Sequence, residues 1–266
     1  MISFNSLGNK GRLGNQMFQY AALKGIASHH GYDFCIPLVG MFGTNDERVL
    51  ASDVNLYDFP NIIENIIQVT NYETREESSF RFDADLFYGC KDNTNLSGYF
   101  QTEKYFKHIE DEIRKDFTFN NFVSKMTENY IEGLYGNVEL ISLHIRRSDY
   151  VTDPNFHVLD FNYYQSALEL LDSDIPVLVF SDDIEWCEKQ FFFKNDRFNI
   201  SKSNNTLVDL ALMSKCDYHI IANSSYSWWG AWLANSQKVI APKKWFSGSL
   251  SDWDTADLYC PEWVSI

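Results

Sequence analysis

His144, Arg146, Arg147 and Asp149 fall together in "LHIRRSDYV", the stretch from Leu143 to Val151. A guanidinium keeps its charge at any physiological pH, and its planar fork donates in pairs to phosphate oxygens. Two arginines at the end of an apolar run therefore suit a diphosphate; the plain alternative is a set of surface or interdomain ion pairs. A second cluster, "ANSSYS", places Asn223, Ser224, Ser225 and Ser227 where a strand gives way to a helix. Such a junction suits a phosphate, although any one of these residues could be an ordinary N-cap. A third, "GNKGRLGNQ", brings Gly8, Gly11 and Gly14 ahead of a helix. Glycine lets the backbone approach an anion closely. The spacing is neither that of a dinucleotide loop nor that of a Walker A loop, and a tight structural turn also explains it. "SDD" (Ser181 to Asp183) could be read as a metal pair, but it lacks the DxD spacing and reads as a helix cap. No metal site and no Ser-His-Asp or Cys-His nucleophile is legible. The role of His157 stays open.

The elements that must carry these clusters alternate. "VELISLHI", "PVLVFSDD", "RFNIS", "YHIIANS" and "KVIAP" read as strands. Between them, "FNYYQSALELLD", "DIEWCEKQF", "NTLVDLALMSKCD" and "YSWWGAWLANS" read as helices, with Asn205 or Thr206 as a cap. That order predicts parallel βαβ units and a Rossmann-like sheet with flanking helices in the C-terminal half. Ligands of such sheets bind beyond the carboxyl ends of the strands, and the arginine pair, "SDD" and "ANSSYS" all fall there. In the N-terminal half, "ISFNSL", the glycine-rich loop, the helix "MFQYAALKGIASHH" closed by Gly31, and the strand "YDFCIPL" suggest another such unit. "GYFQTEKYFKHIEDEIRKDF" reads as a loop entering an amphipathic helix. Residues 40–96 carry little signal. We expect two Rossmann-like domains facing a cleft, 1–130 and 131–266.

Composition narrows the partners. The chain has 266 residues, of which 45% are hydrophobic and 16% aromatic, enough for a substantial core. A formal net charge of −15 argues against nucleic acid and against simple adhesion to anionic lipid. It leaves room for a small anionic ligand in a local basic pocket. Cys35, Cys90, Cys187, Cys216 and Cys260 are an odd number, widely separated, with no CxxC and no zinc spacing. A reducing compartment is the plain expectation. No secretory signal and no transmembrane segment is legible.

"GRLGNQMFQYAALKGIA", "GYFQTEKYF", "LHIRRSDYV" and "ANSSYSWWGAWLA" together resemble the α-1,2-fucosyltransferases of glycosyltransferase family 11. The motifs stand in family order along nearly the whole chain. The resemblance implies an α/β, GT-B-like fold, in which 131–266 binds GDP-fucose and 1–130 lies on the acceptor side and lends its glycine-rich loop to the cleft. It implies transfer of L-fucose from GDP-β-L-fucose, with inversion, to the 2-hydroxyl of a terminal galactose. It implies no cofactor and no metal. The acceptor would be a galactose-terminated oligosaccharide or lipid-linked glycan, and the enzyme cytoplasmic or peripheral to the inner face of a membrane. Another fucosyl linkage, or a non-catalytic nucleotide-sugar or glycan-binding protein, is the alternative.

Residue by residue, the HxRR motif is similar to that of α-1,6-fucosyltransferases and protein O-fucosyltransferases. Arg146 then contacts the donor diphosphate, with His144 and Arg147 in the same strand end. Asp209 matches an acidic position that contacts guanine. Asn223, Ser224, Ser225 and Ser227 match a phosphate loop, and Gly11, Arg12, Gly14 and Asn15 a glycine-rich donor loop. Ser148 stands where many family members carry glycine. Asp149, Asp153 and His157 are the candidates for a base, and Arg147 is expected to pair with Asp149.

Overall fold

The computed structural model describes residues 1–36, 54–62 and 72–266. They sort into two compact units, Met1–Asn120 with Asp254–Cys260, and Asn121–Trp253 with Pro261–Ile266.

The first unit opens with β1 (Ile2–Ser3), α1 (Leu13–His30) and β2 (Phe34–Cys35), and Ile2 of β1 pairs in parallel with Phe34 of β2. The stretch expected to be a glycine-rich loop is shorter than its motif. Arg12 is extended, at φ −82° and ψ −170°, and its carbonyl already accepts the N–H of Asn15 and of Gln16. Gly14 and Asn15 therefore belong to the first helical turn. The helix is buried along most of its length and ends at Gly31, φ 67°, with His29 and His30 in the last turn. A left-handed glycine closes a helix without a Cβ penalty. The last residues of "YDFCIPL", 37–38, lie outside the described residues.

Then follow β3 (Glu73–Glu76), α2 (Ala84–Gly89), β4 (Thr94–Ser97) and α3 (Glu110–Asp116). Among the described residues the sheet runs β2-β1-β4-β3, all parallel. Two of its strands come from the stretch that carried little sequence signal. The reason is plain in their residues: β3 reads "ETRE" and is largely exposed, whereas β4 reads "TNLS" and buries polar side chains.

The second unit begins with α4 (Asn121–Leu134), a helix that the boundary at 130 drawn from sequence would cut. It buries Val123 and Thr127. It is followed by β5 (Ile141–Ile145), α5 (Phe161–Leu168), β6 (Val177–Ser181), α6 (Ile184–Lys189) and β7 (Phe198–Ile200). The chain continues through α7 (Thr206–Met213), which packs against α4 and against α8 (Ser225–Ala234). Strands β8 (Tyr218–Ile220), β9 (Lys238–Ala241) and β10 (Val264–Ser265) complete the sheet. Its order among the described residues is β10-β9-β8-β5-β6-β7, parallel throughout.

This is the doubly wound order. The chain builds outward from β5 on one side, then returns to build outward from β8 on the other. All five residues of β5 are buried, Ser142 and His144 among them, as in a parallel strand covered on both faces. Asp160, Asp183, Asn205 and Ser224 cap α5 to α8 through their side chains. Each cap answers an N–H that the helix cannot satisfy itself, an effect of about 1 kcal/mol. Trp228 and Trp229 are fully buried, so the tryptophans of "YSWWGAWLANS" serve the core.

Candidate functional site

In an open parallel sheet the ligand crevice lies where the strand order reverses. Here that is between β5 and β8, whose register sets Leu143 beside Ile220. On the other flank of β5, Ile145 is level with Ser181. The next residues out are Arg146 and Asp182, and they meet. One arm of the Arg146 guanidinium donates to Asp182 and the other to Asp149. The same group lies 4.9 Å from the centroid of the Tyr150 ring. Two carboxylates and an aromatic face thus fix its plane.

The arginine pair divides its work. Arg147 Nε donates to Asp183 at 3.2 Å, and its guanidinium lies 3.8 Å from the Trp186 ring centroid. The expected pairing of Arg147 with Asp149 is therefore corrected: Asp149 belongs to Arg146. "SDD" divides likewise. Asp183 caps α6, accepting from Trp186 N at 3.1 Å. Asp182 instead reaches back, binding Arg146 and accepting the Arg147 N–H at 2.8 Å. Asp182 was not among the sequence candidates. The signal that could have found it is positional, since adjacent parallel strands that both end in charge bring those charges together. The formal sum of two arginines and three aspartates is −1.

Across the switch point, His144 Nδ1 lies 2.8 Å from Ser227 Oγ, which ties β5 to α8. Burial, helped by the Arg146 charge, pushes the His144 pKa down to about 3. The ring is therefore neutral and acts as a strut, leaving the cationic role to Arg146. The Tyr150 hydroxyl donates to the Asn223 carbonyl at 3.0 Å, and burial pushes its pKa up to about 12.

Asn223 spends its amide N–H groups on the carbonyls of His157 at 2.9 Å and Trp245 at 2.8 Å. Ser224 caps α8, and the Ser227 hydroxyl donates to the Ser224 carbonyl at 3.3 Å. Asn223, Ser224 and Ser227 thus make hydrogen bonds inside the protein. Ser225, half-buried, opens the helix itself.

Asp209 stands in the first turn of α7. The protein itself supplies this carboxylate with two donors. The hydroxyls of Ser201 and Ser203 donate to its Oδ1 at 2.6 and 2.7 Å. Asp153 is half-buried and its Oδ1 accepts from Asn155 N at 3.0 Å. That loop is anchored by Ser249 Oγ, which donates to Asn155 Oδ1 at 2.6 Å, and by Ser247 Oγ, which donates to the Pro154 carbonyl at 2.7 Å. Burial, then Lys244, lowers the pKa of His157, against an opposing pull from Asp160. In the first unit, the Gly11 carbonyl accepts from Gln16 Nε2 at 3.4 Å and Asn15 Oδ1 accepts from Gln101 Nε2 at 2.7 Å.

Within the second unit the fold thus brings His144, Arg146, Asp149 and Ser227 to one switch point and adds Asp182 and Tyr150. A fixed cation held there by exchangeable carboxylates is suited to an anionic leaving group.

The fold is of the α/β, GT-B-like class. A NodZ α-1,6-fucosyltransferase, the Bradyrhizobium protein, in a crystal soaked with GDP-fucose superposes with a TM-score of 0.53. The two are 12% identical, and the match covers 91% of this chain and 94% of that one. The profile of glycosyl transferase family 11 matches residues 2–266, and the chain belongs to that family. An α-1,2-colitosyltransferase of Escherichia coli is 33% identical over 292 residues, covering 96% of each chain. A galactoside 2-α-L-fucosyltransferase of Bos taurus is 27% identical over 284 residues, covering 97% of this chain and 72% of its relative. Among the described residues no helix is long and apolar enough to cross a membrane.

Proposed function

We propose that this glycosyltransferase moves L-fucose from GDP-β-L-fucose to the 2-hydroxyl of a terminal galactose, with inversion. The observation that carries the reading is Arg146, held by Asp149, Asp182 and Tyr150 at the switch point of a family 11 chain. Breaking the fucose–phosphate bond leaves an oxocarbenium-like sugar and a diphosphate that gains charge. Arg146 stabilises that charge as it develops. The incoming diphosphate takes the place of a carboxylate on the guanidinium fork. A fixed guanidinium does here what a magnesium ion does in other nucleotide-sugar enzymes, so the reaction needs no metal or cofactor.

In this reading Asn223, Ser224, Ser225 and Ser227, with the start of α8, form the loop that receives phosphate. Asp209 receives guanine, and Gly11, Arg12, Gly14 and Asn15 are the first unit's share of donor binding. Asp149 is committed to Arg146, so Asp153 is the better base, with His157 the other candidate. The second unit, in place of the 131–266 drawn from sequence, is the donor domain, and the first, in place of 1–130, is the acceptor-side domain. Five free, buried cysteines suit a cytoplasmic enzyme.

Incubation of GDP-fucose with lactose, followed by mass spectrometry and linkage analysis of the product, tests the reading. An α-1,2-fucosylated product supports it; tight GDP-fucose binding without transfer favours a non-catalytic binder, and another linkage changes the acceptor. A second reading has an observation of its own. The colitosyltransferase relative raises GDP-colitose as donor. Colitose lacks the 3-hydroxyl of fucose, so competition between the two donors decides between them.

A further inference from the structure

Glu77 follows β3 and is a half-buried carboxylate. Its Oε2 accepts the N–H of Tyr99 at 2.9 Å and of Phe100 at 2.8 Å, and its Oε1 accepts the Tyr105 hydroxyl at 3.4 Å. The turn it grips, Gly98 to Gln101, opens "GYFQTEKYF", a motif that the chemistry above leaves unused. Gly98 sits at φ 151°, and a Cβ there would come within 2.6 Å of the Glu77 Cβ. Phe100 is left-handed, at φ 54°. A bulky residue holds that conformation only where its surroundings over-determine it. Here two hydrogen bonds to Glu77 and a fully buried ring, edge-on to Phe4 and Tyr105, do so.

The turn in turn grips the glycine-rich segment. The Gly98 carbonyl accepts from Gln19 Nε2 at 3.1 Å, and the same amide donates to the Lys10 carbonyl at 3.4 Å. Gln101 Nε2 donates to Asn15 Oδ1 at 2.7 Å. Lys10 and Asn15 bracket Gly11, Arg12 and Gly14. We propose that Glu77 is a positioning residue: its carboxylate sets the Gly98–Gln101 turn, and through Gln19 and Gln101 that turn sets the segment Lys10–Asn15 in the shape that receives the donor. This rests on the reading that the glycine-rich segment binds GDP-fucose.

The ionised carboxylate is the stronger acceptor for both N–H groups. Burial pushes the Glu77 pKa up to about 7, against the pull of the Phe100, Tyr99 and Tyr105 bonds, with Asp83 adding to the rise. Tyr105 and Asp83 are the titratable groups that face it among the described residues; the Tyr105 hydroxyl also accepts the Asp83 N–H at 2.8 Å. The sign for folding follows. An acid whose pKa is raised from 4.5 to about 7 favours the fold at low pH and loses that contribution as pH rises through about 7. Glu77→Gln escapes the loss, so above that pH it should melt no lower than the wild type.

Steady-state kinetics below and above about pH 7 test the proposal. In the wild type the KM for GDP-fucose should fall as pH rises through that value. Glu77→Gln should abolish this limb and raise the donor KM about tenfold at alkaline pH, the scale of one charged hydrogen bond, while leaving the acceptor KM nearly unchanged. Gly11→Ala is the control, because Gly11 is at φ 83° and a Cβ there would collide with Asn15. A raised donor KM in Gly11→Ala, beside an unchanged one in a folded Glu77→Gln, overturns the role of Glu77 alone. An unchanged donor KM in folded Gly11→Ala overturns the donor reading of the segment, and the proposal falls with it.

Discussion

After β1 the chain passes through Gly8 and Gly11 into α1, and the side chains that hold that junction are the neutral amides of Asn15, Gln16, Gln19 and Gln101. After β5 it passes into Arg146 and Arg147, and the groups that hold this junction are the carboxylates of Asp149, Asp182 and Asp183. Both are strand ends in parallel sheets. One is built to fix a backbone shape and the other to fix a charge. The difference teaches where catalysis and binding should separate: a charge that matters most as a bond breaks acts on kcat, whereas a backbone shape acts on donor affinity.

Substitutions at the two junctions break or sharpen that contrast. The largest effect is expected from Arg146→Ala. Its kcat should fall by roughly two to three orders of magnitude, the scale of losing one oxyanion donor, with a much smaller rise in the donor KM. Gly11→Ala should show the reverse pattern, and steady-state kinetics on both give the answer. An intermediate effect is expected from Asp209→Ala. GDP affinity measured by calorimetry should fall about tenfold, as for one charged hydrogen bond, with an unchanged circular dichroism spectrum. Unchanged affinity in the folded variant would make Asp209 a support for Ser201 and Ser203 only.

Arg147→Ala should do less to chemistry. It loses the Asp183 pair and the stack on Trp186, a cost of about 1 kcal/mol, visible as a lower melting temperature with activity within a few-fold. A kcat loss as large as that of Arg146→Ala would erase the division between the two arginines.

The effect furthest from the chemistry is in acid. Burial holds the pKa of His144 at about 3 and of His219 at about 4, against an ordinary 6.5. Protonation therefore favours the unfolded chain. Their contribution is complete above about pH 6.5 and is lost as pH falls towards these values. His144→Asn should make the melting temperature fall less steeply in that window, which thermal melts across pH would reveal.

The second unit was legible because its central strands are buried and rich in apolar residues and its helices carry caps: β5, β6, β8 and β9 are mostly buried, and Asn205 caps α7 as its position predicts. β10 was not legible, being two exposed residues that exist only by pairing with β9. β3 was missed because it is polar and largely exposed, and β4 because most of what it buries is polar. In the site, Arg146 was readable from residue type, because a guanidinium at a buried strand end needs a partner. Its partners were not, because Asp182 lies on a different strand and becomes a neighbour only through the register of β5 with β6. The start of α1 was misjudged because glycines in sequence suggest a loop, whereas Gly14 is accommodated within a buried helix.

The central claim is that Arg146 serves the departing diphosphate through its fork as well as its charge. The most direct test is the rate of fucosyl transfer by Arg146→Lys at saturating GDP-fucose, relative to the wild type, with thermal melts confirming the fold. Lysine keeps the charge and loses the paired donors. The rate should fall by roughly a hundredfold or more; a rate near that of the wild type would mean that charge alone suffices at this position.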